Sequence, residues 1–230
     1  MMNLRTIAAT VAMLAAFAGV TGCASTRSNI EYIPAGESAS RIGVPVKGVV
    51  IHSGDVRPNA KVYPKQVILQ TSFSGDKTYD INDRAVDTVF DDAVATELAR
   101  LGVSVSIAKD IDGPLDKTTK DRIRKAVMAQ HPGVKVAFGL KIKDFFATTE
   151  KKLVTTNVAV NSSIEFYALD VETGEIFWSE YASQWEDTVV TADREYLIGQ
   201  LDDVLSNLMR KAVKENLTLR DALVRIGSRR

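Results

Sequence analysis

The chain has 230 residues, enough for one domain of generous size or two small ones. Lys+Arg is 29 and Asp+Glu is 29, a formal net charge of +0, so there is no basic field to neutralise nucleic-acid phosphates. Two histidines and one cysteine leave little for a metal site and exclude an intramolecular disulfide.

Arg5 and the amino terminus open the chain with positive charge, and residues 7–20 (IAATVAMLAAFAGV) follow without any. That length and texture are those of a signal-peptide apolar core, and the run is short for a spanning helix, which needs about 20 apolar residues. Val20, Thr21, Gly22 and Cys23 come next. This quartet resembles the lipobox of bacterial lipoproteins: a branched apolar residue, a small residue, glycine or alanine, then cysteine. The resemblance implies a diacylglyceryl group on the Cys23 thiol, cleavage between Gly22 and Cys23, and acylation of the new amino group. Small side chains at Thr21 and Gly22 suit an extended backbone in a peptidase cleft. A second acyl chain turns marginal membrane binding into stable anchoring, each buried CH₂ contributing about 0.8 kcal/mol. Ala24 stands where an aspartate commonly retains lipoproteins at the inner membrane, which by the same resemblance implies an outer-membrane anchor facing the periplasm.

Residues 24–41 are polar and hold Pro34 and Gly36, so 23–43 reads as a flexible tether and 44–230 as one folded domain. GVVIH at 48–52 predicts a buried strand and QVILQTSF at 66–73 another. The apolar stripe of Val86, Val89, Phe90, Ala93, Val94, Leu98 and Leu101 predicts a helix over 82–101, capped by Asp80 or Asn82 and stopped by Gly102. Alternation at Val103, Val105 and Ile107 predicts a half-buried strand, and Ile123, Ala126 and Val127 a shorter helix over 117–130. Val134, Val136, Phe138, Leu140 and Ile142 alternate with Lys135, Lys141 and Lys143 among their neighbours, opening three strands that continue over 153–171 and 175–185, with a tight turn at Glu172, Thr173 and Gly174. Leu197, Ile198, Leu201, Val204, Leu205, Leu208, Met209 and Ala212 predict a long helix over 194–216, and Thr218 with Asp221 a capping box for a terminal one. The short turns make the late strands antiparallel. The expected fold class is α+β, a two-layer sandwich of a mixed or antiparallel sheet with helices on one face.

With the lipobox, the GVVIH strand, the DDAVATELARLGVSV unit (91–105), the VAFGLKIKDFF strand (136–146) and the closing LIGQLDDVLSNLMRKAVKENLTLRDAL stretch (197–223), the chain resembles the YajG family of lipoproteins. The segment 121–130 stands outside that family's pattern. The ALDVETGEIFW turn (168–178) also resembles periplasmic modules of penicillin-binding-protein activators and curli-secretion lipoproteins. These resemblances imply location and fold rather than a reaction.

His52, Ser53 and Asp55 have the residue types of a catalytic triad, but neighbours on a strand point to opposite faces. Asp91–Asp92 and Asp202–Asp203 read as solvated helix faces, and His131 as a residue at a helix end. No phosphate loop, dinucleotide glycine pattern or zinc spacing is present, so no cofactor is expected beyond the lipid on Cys23. Apolar residues occupy both alternations of the late hairpin, which leads to the expectation that Tyr167, Leu169, Phe177 and Tyr181 form an exposed patch for an envelope protein or for self-association. The expected role is a non-enzymatic accessory or scaffold. The alternatives are an activator of a peptidoglycan synthase, an auxiliary subunit of an envelope transport system, and an envelope hydrolase, which would need polar residues converging in a pocket.

Overall fold

The structure is a computed structural model describing residues 29–34, 36, 40–58, 66–71, 77–80, 84–111 and 113–229. Val20, Thr21, Gly22 and Cys23 lie outside the described residues. Strand β6 (Val136–Lys151) is the spine of a single sheet. Along one edge it pairs antiparallel with β7 (Thr156–Asp170), which pairs antiparallel with β8 (Ile176–Val189). The other edge is shared in succession by β1 (Val46–Ile51), β2 (Gly54–Asp55) and β3 (Gln66–Thr71), all parallel to β6. Outside them lie β5 (Val103–Ala108), parallel to β1, and β4 (Lys77–Asp80), antiparallel to β3.

The sequence explains these placements. VKGVVI is buried at all but Lys47, as a central strand covered on both faces must be. In β6 the register shifts between Ile142 and Asp144, a bulge that moves the inward phase by one, so that Phe145 and Ala147 continue the buried row. That phase shift is why simple alternation in the sequence stops at Ile142 although the strand runs on to Lys151.

Helices α1 (Val86–Arg100), α3 (Arg194–Met209) and α4 (Leu217–Gly227) cover one face, α3 being prolonged by a π-helical turn at Arg210–Lys214. Their stripes meet Val50, Phe138, Phe145 and Phe166 in the main core, where Phe90 and Phe145 stand edge to face at 5.2 Å. The expected α+β layering is present, with one correction: α2 (Lys120–Gln130) lies on the opposite face. Its Ile123 and Val127 close a second core with Val49, Ile51, Leu115, Ala137, Tyr167 and Leu169.

Gly102 takes φ +92° and ends α1 as expected. The caps differ from expectation. Ala85 precedes α1 with no side-chain cap, and Asn216, not Thr218, caps α4 by accepting from Leu219 N. The tether is also corrected in part. Ile30 and Ile42 are 4 % and 8 % exposed and belong to the main core, so the folded body starts well before residue 44.

Candidate functional site

The segment that follows the expected lipid anchor lies along α3. Glu31 N donates to Asp202 Oδ1 (2.9 Å), Ser206 Oγ donates to the Ile33 carbonyl (2.6 Å), and Gly36 lies beside Lys214. Further on, Arg220 donates to the Ser40 carbonyl (2.9 Å). The pairings advance about two helical residues for each residue of the segment, the ratio expected when an extended strand rising about 3.3 Å per residue lies beside a helix rising about 1.5 Å. Tyr32 pins the segment to α1 as well: its hydroxyl donates to Glu97 (2.7 Å), and burial together with that bond pushes its pKa far above the ordinary value. Asp202 is therefore not on a solvated helix face. It is 2 % exposed and receives this segment, while Asp203 is exposed.

Asp91 is the second correction to the paired carboxylates. It is 2 % exposed, on the α1 face turned toward the end of β1. Ser53 donates to its Oδ1 from both N (2.9 Å) and Oγ (2.5 Å), and His52 Nδ1 lies 2.6 Å from its Oδ2. The other ring nitrogen of His52 faces Asp87 at 3.2 Å. Burial disfavours the His52 imidazolium, but the Asp91 and Asp87 carboxylates outweigh it and hold its pKa above the usual histidine value. Burial lifts the Asp91 carboxyl above the usual carboxylate value against the opposing bonds from Ser53 and His52. Chemically this is not a triad. The serine hydroxyl is spent on the carboxylate instead of facing an imidazole, and both histidine nitrogens are engaged by carboxylates, so no base is placed to activate Ser53. Asp55 pairs with Arg57 at 2.6 Å and takes no part.

The expected partner patch does not form. β7 and β8 pair Tyr167 with Trp178, Ala168 with Phe177, and Ile164 with Tyr181. Directly opposed residues share a face, so Tyr167 and Leu169 point one way and Phe177 and Tyr181 the other. Tyr167 (4 % exposed) and Leu169 (0 %) are buried with the α2 core, while Phe177 and Tyr181 rest half-buried on the main core. The apolar stripe of α2, visible in the sequence, needs an apolar surface, and the structure shows that this is the one it takes.

Beside α2 a polar network edges the sheet. Lys141 pairs with Asp116 at 2.5 Å, which holds the Asp116 carboxyl well below the usual range despite burial. The Tyr167 hydroxyl donates to Glu165 (2.5 Å), Lys143 bridges Glu165 and Glu180 at 3.5 and 2.8 Å, and Lys117 sits 3.6 Å over the Trp178 ring. On the other face an open groove of about 240 Å³ runs between β8 and the start of α4, lined by Phe166, Phe177, Asn216 and Leu219. His131 caps α2 and lies 3.1 Å from Asp110.

The chain shares its fold with a protein of Xanthomonas campestris. That protein, XCC0632 of family DUF330, matches over 85 % of this chain and 96 % of its own, with a TM-score of 0.56 and 8 % identity. At such identity the likeness is one of fold. Weaker likenesses extend to PelC of Paraburkholderia phytofirmans, a dodecamer (TM-score 0.39, 10 % identity, 77 % of this chain and 95 % of that one). Lipoprotein GNA1162 of Neisseria meningitidis is a further one (TM-score 0.36, 13 % identity, 73 % and 99 %). No family profile matches the sequence, and no curated protein matches it. Among the described residues no helix is long and apolar enough to cross a membrane.

Proposed function

We propose that the protein is a lipid-anchored lipoprotein of the bacterial envelope, held on the periplasmic side of the outer membrane through Cys23 and serving as a non-enzymatic accessory or scaffold of the YajG type. The observation that carries this reading is the Val20-Thr21-Gly22-Cys23 quartet directly behind an uncharged run, in a chain whose single cysteine is Cys23. A cysteine with no disulfide partner in an exported chain acquires a purpose as the lipid site. Two structural facts support it. The wiring of Ser53, His52 and Asp91 favours a structural clasp over a nucleophile, and the segment after the anchor is built into the domain, as suits a body held at a fixed place on a surface.

The test is metabolic labelling with radioactive palmitate and membrane sedimentation of the wild type and Cys23→Ser. Label in the wild type alone, with Cys23→Ser released to the soluble fraction, is expected. An unlabelled wild type, or a serine variant that sediments unchanged, overturns the reading. Crosslinking in cells then separates an accessory role, which captures a protein partner, from a solitary one.

A further inference from the structure

At the end of the sheet where α3 begins, the β6–β7 turn carries two exposed apolar side chains, Leu153 (98 % exposed) and Val154 (75 %). The turn is closed by Lys152 N donating to the Thr155 carbonyl (2.7 Å), so these side chains project from a defined hairpin. Val190, at 80 % exposure, follows the last residue of β8, Val189, which pairs with Thr156 beside the same turn. Exposed aliphatic side chains gathered at one tip are unfavourable in water. Lys151 and Lys152 directly precede Leu153, and both are exposed.

The path of the N-terminal segment singles out the same end of the molecule. Residues 31 to 36 run beside α3 from Asp202 toward Lys214, in the direction of the helix, so the chain enters this track from the N-terminal side of α3. From Asp202 back to Arg194 is about 12 Å of helix. Leu153 lies no more than about 10 Å beyond the Thr156–Val189 pair. Asn29 is two residues upstream of Glu31, which brings it about 6 Å nearer that end and leaves roughly 15 Å to the tip. From Cys23 to Asn29 an extended chain reaches at most about 20 Å. The anchor can therefore sit level with the tip, but it cannot reach round to the opposite end, since β7 alone is roughly 45 Å long.

We infer that the β6–β7 turn, with Leu153, Val154 and Val190, is the surface that meets the phospholipid bilayer. The long axis of β6 and β7 then stands away from the membrane, and the β7–β8 turn is the distal end. The inference rests on acylation of Cys23. Glu150, Asp187 and Glu195 also lie at this end, so its charge is mixed; apolar side chains at the interface carry the contact, with the two lysines suited to phosphate headgroups.

Because the Cys23 sulfur is a thioether in the acylated protein, one introduced cysteine is the single free thiol. Full-length lipidated protein carrying Leu153→Cys or Thr173→Cys, labelled with a nitrobenzoxadiazole probe, is reconstituted into phosphatidylethanolamine–phosphatidylglycerol vesicles containing a shallow nitroxide lipid. Vesicle flotation is scored first: protein that does not float removes the anchoring reading, and this one with it. Among floating protein, several-fold stronger quenching at position 153 than at 173, persisting at high salt, is the expected result. Equal quenching at the two positions, or stronger quenching at 173, overturns the inference. So does a probe at 153 that is shielded from both the nitroxide lipid and aqueous iodide, since a protein, a second copy included, would then occupy the tip.

Discussion

Removing the Asp91 carboxylate tests whether the clasp between α1 and the end of β1 is structural. Ser53 is 3 % exposed, and both its N–H and its hydroxyl are satisfied by Asp91. In Asp91→Ala each is left without that acceptor, at about 1–3 kcal/mol per buried group. His52 is half-exposed and regains water, so it adds little. The expected loss is about 4 kcal/mol, a large share of the roughly 5–15 kcal/mol that stabilises a domain, and it lowers Tm by about 8–16 °C. Asp91→Asn should cost far less, because the amide oxygen can still accept from Ser53 while its NH₂ donates to a neutral His52. The pH dependence separates the two roles of the carboxylate. With its folded pKa raised, His52 contributes stability that is fully present below about pH 6.5 and is lost as pH rises through the folded value. Asp91, also raised, works in the same direction at lower pH. Urea unfolding followed by circular dichroism should therefore show wild-type stability falling as pH rises past neutrality, and a flatter profile in Asp91→Asn. An alanine variant within about 1 kcal/mol of wild type, or an asparagine variant as unstable as alanine, would refute the reasoning.

Tyr167→Ser should behave as a core lesion, losing about 3–5 kcal/mol in chemical denaturation, because Tyr167 is buried under α2. A variant of wild-type stability would put Tyr167 back on the surface. Asp170, fully buried, accepts from Glu172 N, Thr173 N and Arg229, whose guanidinium and the turn outweigh burial and hold the carboxyl below its usual range. Its contribution is present above the unfolded carboxylate range and lost as pH falls through the depressed folded value, so Asp170→Asn should cost stability at neutral pH and little in acid, as read from Tm against pH. Asn216→Ala should lose about 1 kcal/mol with the α4 cap, and Thr218→Ala distinctly less, in paired thermal melts.

Much of the fold was legible because periodicity reports faces well. The stripes of α1 and α3, the stop at Gly102 and the antiparallel late hairpin all follow from spacing and turn chemistry. What was not legible depended on register or on distant partners. Periodicity says that α2 has an apolar side but not which sheet face receives it, and the hairpin register that separates Tyr167 from Phe177 is set by the turn at 171–174. Likewise Asp91 and Asp202 are charges that a helix-face count assigns to solvent. They are buried because Ser53 and Glu31, far away in sequence, bring N–H groups to them.

The burial of Asp202 links the fold to the proposed anchor. A carboxylate is costly to bury without hydrogen bonds, and Glu31 N of the N-terminal segment supplies one here. Ser206, Glu97 and Arg100 hold the same segment through Ile33, Tyr32 and Gly36. Residues 31–33 and 36 are thus part of the domain, and a chain lacking them would take these partners away from polar groups on α1 and α3. A free tether would let the body tumble at any angle to the bilayer. Were Cys23 acylated as proposed, a segment held against two helices would restrict the tilt of the body, and that segment starts toward the end where Leu153 and Val154 are exposed.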